Sequence, residues 1–121
     1  MRRLSTPAVP APEVPYTALL GQLLKHHRLQ RQVDQRSMAA ALGLTQSAYS
    51  RLESGDTNIT AWQLRVCAEQ LGVLPSQLLA QVEQHESLLR AQGVSIVAEK
   101  KTNPVAALLG LALLAALVSR A

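Results

Sequence analysis

Twenty residues, QRSMAAALGLTQSAYSRLES from Gln35 to Ser54, restrict what this chain can fold into more than any other stretch. They read as two short helices meeting across a three-residue turn. Where two backbones approach that closely, a small side chain has to stand at the crossing, and Ala39 stands there. The turn needs a residue that tolerates positive φ, which Gly43 supplies. Leu44 plugs the angle between the helices, while Met38, Ala39, Leu42, Tyr49 and Leu52 face a core. The positions left over are Gln46, Ser47, Ser50 and Arg51, all hydrogen-bonding types on the outer side. In a DNA major groove a guanidinium suits guanine and a carboxamide suits adenine.

The flanking sequence supplies three more helices. Asp34 is placed to cap the helix Gln35–Leu42, and Thr45 to cap the next, about Gln46–Glu53. Thr60, with Gln63 three residues on, has capping-box form for a fourth. Ahead of these, Tyr16 to about Arg31 carries Leu19, Leu20, Leu23, Leu24 and, more loosely, Leu29 at helical spacing. The fourth helix turns Leu64, Cys67, Ala68 and Leu71 inward and stops at Gly72, and Trp62 reads as core. A fifth runs from Pro75 to about Gln92 with Leu78, Leu79, Val82 and Leu89 on one side. Aromatics are limited to Tyr16, Tyr49 and Trp62, so the core must come from Leu, Val, Ala and Met. That supply suits packed helices better than a β-sandwich.

The segments VDQRSMAAALGLTQSAYSRLESG and EQLGVLPSQLL carry a family likeness. Across about Leu19–Leu79 the chain resembles the lambda-repressor-like helix-turn-helix domain (XRE, or Cro/repressor type). The resemblance implies an all-α fold: a five-helix DNA-binding domain, here followed by an extra C-terminal hydrophobic helix. It places base reading on Gln46, Ser47 and Arg51, with Ser50 on the same outward side. Phosphate contacts fall on Gln35, with Arg36 beside it, and on Thr45, Ser54, Thr57 and Asn58. Arg28 and Glu53 take the places of a structural ion pair. Three positions depart from the family pattern. Asp56 stands in a loop that often carries Lys or Arg, Leu74 replaces a capping residue, and Tyr49 replaces an aliphatic one.

Outside the domain, residues 1–15 hold Pro7, Pro10, Pro12 and Pro15 and read as a disordered arm without a regular element. The arm has no apolar run of signal-peptide length. Residues 93–103 read as a linker, in which VSIVA forms a short isolated strand. KKTNP then introduces fourteen residues without a polar side chain, Val105–Val118, so that 104–121 read as a hydrophobic helix. Fourteen residues make ~21 Å of helix against a hydrocarbon core of ~30 Å, which 102–121 together would reach. A helix apolar all round must be buried in lipid or in protein. The pairs Ala112/Ala116 and Ala115/Ser119 favour close helix packing, and Lys100 and Lys101 match a cytoplasmic flank. Membrane anchor and oligomerisation helix both stay open.

A formal net charge of +4 and a pI near 9.8 favour an anionic partner. Cys67 is the only cysteine, which excludes an internal disulfide and a Cys-rich zinc site. It reads as a buried, inert thiol. His26 and His27 point about 100° apart on a helix and His85 is distant in sequence, so no metal site is expected. No nucleophile and base are spaced for catalysis, and neither enzymatic activity nor a cofactor is expected. The expected function is a sequence-specific regulator of transcription, a repressor, binding double-stranded DNA as a homodimer paired through Leu78, Val82 and Leu89. The expected location is the cytoplasm, with 104–121 as the point of attachment if the chain is held at the inner face of the membrane. The alternative is an antitoxin that binds DNA through the same domain and a toxin through residues 76–121.

Overall fold

The computed structural model describes residues 11–98 and 104–119. In chain order they form β1 (Glu13–Pro15), α1 (Tyr16–Gln30), α2 (Gln35–Leu42), α3 (Gln46–Ser54), α4 (Ala61–Leu71), α5 (Pro75–Ala91), β2 (Ser95–Val97) and α6 (Pro104–Val118). Helix starts follow the local chemistry. Asp34 Oδ1 accepts the Ser37 N–H at 2.8 Å and Thr45 Oγ1 accepts the Ala48 N–H at 3.1 Å. Thr60 and Gln63 close both halves of their capping box, at 3.1 and 2.9 Å. Caps of this kind contribute about 1 kcal/mol each. Leu74 has no capping atom, and Gln77 Oε1 takes up its N–H at 2.8 Å instead. Gly43, at φ 68°, ends α2 in the left-handed conformation the turn required.

The core is aliphatic around one tyrosine. Leu19, Leu23, Leu24, Met38, Tyr49, Leu71, Leu78 and Leu89 are all fully enclosed, and α1 runs through the middle against α3, α5 and α6. Three expected core residues lie outside it, Leu79 at 38% exposure among them. Leu29 is five residues beyond Leu24, about 140° around the helix, and is 57% exposed. Trp62 is two residues from inward-facing Leu64, about 200° around α4, and is 65% exposed with Arg65 over its ring at 5.3 Å. The expected pairing surface also fails. Leu78, Val82 and Leu89 are each 0% exposed, because this domain's own core consumes them.

The described end of the arm and the 95–97 segment differ from the expectation of an arm without regular structure and an isolated strand. β1 pairs in parallel with β2, Val14 opposite Ile96, and the Ser95 N–H donates to the Pro12 carbonyl at 2.9 Å. Proline weakens a strand only where a ladder needs its missing N–H, and a two-stranded edge can do without it. A pair this short is marginal alone, but Val14 is fully buried beneath α6. Residues 1–10 of the arm, 99–103 of the linker, and the flanking Lys100, Lys101 and Arg120 lie outside the described residues.

α6 lies back over β1, α1 and α5. Gly110 fixes the seat: a Cβ there would collide with the Glu13 carbonyl and the Val14 side chain. Ala106, Leu114 and Val118 are buried on that side, whereas Leu108 on the other is 69% exposed. The apolar helix is therefore half covered, and by its own domain. Among the described residues no helix is long and apolar enough to cross a membrane.

Candidate nucleic-acid interface

The interface is framed by a buried ionic knot at the far end of α3. Glu53 receives two hydrogen bonds from Arg28 and a third, at 3.2 Å, from Gln35 Nε2. Burial alone would raise the Glu53 carboxyl, but the hydrogen bonds from Arg28 and Gln35 outweigh it and hold it below the usual range. The hydrogen bond to Glu53 likewise raises the Arg28 guanidinium, against its desolvation. Tyr49, which replaces an aliphatic residue here, is fully buried. Enclosure pushes its phenol up, and the Glu53 carboxylate beside it adds to the shift. The Arg28–Glu53 pair joins α1 to the end of α3.

Outside that knot, the first turns of α2 and α3 meet at a cleft lined by Gln35, Gln46, Ser47 and Ser50. All four are among the residues the sequence assigned to DNA contact. Arg36 Nε donates to Gln46 Oε1 at 3.3 Å, which leaves the Gln46 amide hydrogens free to face a partner. Arg51 is exposed one residue beyond Ser50. Thr45 accepts at its oxygen as a cap, so its hydroxyl hydrogen remains available to a phosphate. The amino ends of both helices also point their partial positive charge at this cleft, which favours an anion there.

Other assigned residues are placed less simply. Gln35 is half-buried, and one of its amide hydrogens is committed to Glu53. The Ser54 hydroxyl is within 2.9 Å of Asp56 Oδ2 and 3.2 Å of the Arg51 carbonyl, so its hydrogen is already engaged. Thr57 is exposed, and Asn58 stands on the rim of a separate apolar groove with Tyr16, Thr17 and Ile59. Two residues of α1 that sequence reasoning passed over, Gln22 and Lys25, line a second cleft that shares Gln35 and Ser50 with the first. Their spacing from Ala18, four and seven residues, is one helical face and would have revealed them.

The remaining chemistry is structural. Cys67 is fully enclosed and burial pushes its thiol up to about 12, far from the thiolate that reacts. His27 bridges helices, with Nε2 2.7 Å from Gln81 Oε1 and Nδ1 3.0 Å from Arg31 Nη1. Among the described residues no group of three His, Cys, Asp or Glu side chains is placed to hold a metal ion.

Two short helices crossing on a three-residue turn, the second open along a polar face, define the helix-turn-helix class of DNA-binding fold. The chain belongs to that family: the model described as a helix-turn-helix domain matches residues 19–82. The fold is similar to a crystal structure of the clp gene regulator ClgR from Corynebacterium glutamicum, with a TM-score of 0.60 and 24% identity over 70% of this chain and 86% of that one. A second crystal structure of that regulator aligns with a TM-score of 0.54 and 23% identity, over 57% of this chain and 90% of that one. No curated protein matches the chain.

Proposed function

We propose that this protein is a sequence-specific regulator of transcription that inserts α3 into the major groove and represses by occupying its site. The observation that carries the reading is the cleft of Gln35, Gln46, Ser47 and Ser50, with Arg51 exposed beside it. Phosphate-type donors and base-reading types lie together on one polar face, as groove docking requires. The similar structures being those of a gene regulator supports the same class. Selection of bound sequences from random duplex DNA, on the full chain and on Arg51→Ala, tests it. A consensus from the full chain that loosens in Arg51→Ala is expected. Recovery of unbiased sequences by both removes the reading.

A repressor reading a two-fold site needs two copies, with recognition helices ~34 Å apart. With Leu78, Val82 and Leu89 consumed by the core, the pairing surface moves to the uncovered stripe of α6. Val105, Leu108, Leu109, Ala112 and Ala116 are spaced to lie on one side of that helix, and Leu108 is 69% exposed. Pairing there is read by sedimentation of the full chain beside Leu108→Ser, which is expected to shift towards monomer. Carbonate-resistant retention of the chain in a membrane fraction would instead assign the stripe to lipid, and co-purification of a small partner would favour the antitoxin reading.

A further inference from the structure

The hydrophobic helix α6 borders the DNA-reading surface. The cleft that contains Gln22 and Lys25 of α1, Gln35 of α2 and Ser50 of α3 is walled on its remaining side by Leu111 and Ala115 of α6. It holds about 320 Å³ and shares Gln35 and Ser50 with the base-reading cleft. We propose that α6 in its docked position is an autoinhibitory element that competes with the DNA backbone for this cleft. The proposal rests on α3 being the groove-reading helix.

The geometry makes the two occupants exclusive. A helix with its side chains is ~10–12 Å across and the major groove ~12 Å wide, so phosphate ridges run immediately beside α3. On the α1 and α2 side the ridge has to reach Gln35 and Lys25, the donors on offer. Leu111 and Ala115 occupy that approach and present only carbon. A phosphate brought against them loses water and gains no partner. Lifting α6 removes the apolar wall beside exposed Lys25 and half-buried Gln35 and Ser50, so that all three can meet one phosphate ridge.

The docked state carries a defect that helps it open. Glu13 Oε1, on the strand that α6 covers, is enclosed without a hydrogen-bond partner, and an enclosed acceptor left unpaired regains water when its cover leaves. The seat is also narrow, because Gly110 alone lets α6 approach the Glu13 backbone. A larger residue at that position closes the seat and leaves the helix and the DNA face intact.

Binding of a labelled mixed-sequence duplex, followed by anisotropy at low salt, compares the full chain with Gly110→Leu and Leu88→Ser. Gly110→Leu is expected to bind about tenfold tighter, within the usual range of coupling between two states. Leu88→Ser, on the exposed side of α5, is expected to bind as the unsubstituted chain does. Equal or weaker binding by Gly110→Leu at unchanged helicity overturns the proposal, as does an equal gain in Leu88→Ser. Should Gly110→Leu fold poorly, hydrogen exchange on the unsubstituted chain decides. Competition is reciprocal, so duplex must speed exchange of the amides of 106–118, and unchanged or slower exchange overturns it. Absence of duplex binding by every chain, including the unsubstituted one, would instead remove the functional reading beneath it.

Discussion

Arg28 and Glu53 lie 25 residues apart and are joined by two hydrogen bonds, Nε to Oε2 and Nη2 to Oε1, each 2.8 Å long. Both side chains are almost wholly enclosed, at 8% and 3% exposure. Arg28 Nη1 also donates to the Val33 carbonyl at 3.0 Å, and Gln35 adds its amide to the same carboxylate. One carboxylate thus holds the ends of α1 and α3 and the start of α2 in fixed relation, and with them the face that would meet DNA.

Removing one partner of that pair leaves the other charged and buried. Arg28→Ala is expected to cost about 3–5 kcal/mol of stability, because the stranded carboxylate keeps its desolvation penalty. Urea unfolding followed by circular dichroism measures it, and a loss under about 1 kcal/mol would contradict the enclosure of the pair.

The same carboxyl sets an acid limit. Its folded value lies below the ordinary one, so its contribution is complete above the unfolded value of about 4.3 and disappears as pH falls through the folded value. Urea midpoints measured downward from neutral pH are expected to fall more steeply in the unsubstituted chain than in Glu53→Gln, with the two curves converging in acid. Parallel curves would show that Glu53 titrates normally.

Gly55 and Gly72 share positive φ, +80° and +69°, but differ in surroundings. Alanine at Gly72 meets open space and pays only the left-handed strain, about 1–2 kcal/mol. At Gly55 a Cβ comes within 2.5 Å of the Ala18 Cα, so overpacking adds about 1–3 kcal/mol. Thermal melts are expected to rank Gly55→Ala well below Gly72→Ala, and equal losses would argue against the close seating of α3 on α1.

Specificity and positioning are expected to separate by residue. Arg51→Ala is expected to cost about 1–3 kcal/mol on a selected site and to relax preference at one base pair. Gln35→Ala is expected to weaken all duplexes by a similar factor. Competition titrations against single-base variants distinguish them, and a changed consensus in Gln35→Ala would reverse the assigned roles.

The crossing of α2 and α3 is expected to tolerate little. Ala39 is 2% exposed, and Ala39→Leu is expected to cost about 1–3 kcal/mol through overpacking. An unchanged melting curve would refute the tight helix pair.

What the sequence determined by itself was local. Asp34, Thr45 and Thr60 fixed where helices begin, and Gly43 fixed the turn, because each acts within a few residues of its own backbone. The inward stripe, the Arg28–Glu53 pair and the face of Gln46, Ser47, Ser50 and Arg51 followed from helical spacing and family likeness. Only the tertiary structure decided where distant segments meet. Proline content argued against order at Glu13–Pro15, yet pairing with Ser95–Val97 and cover from α6 supply what that strand lacks alone. The chain signals that Val105–Val118 must leave water, since no side of it is polar, but not which surface receives it. That choice turned on Gly110 lying opposite the Glu13 carbonyl, a contact between residues nearly a hundred positions apart that no local pattern records.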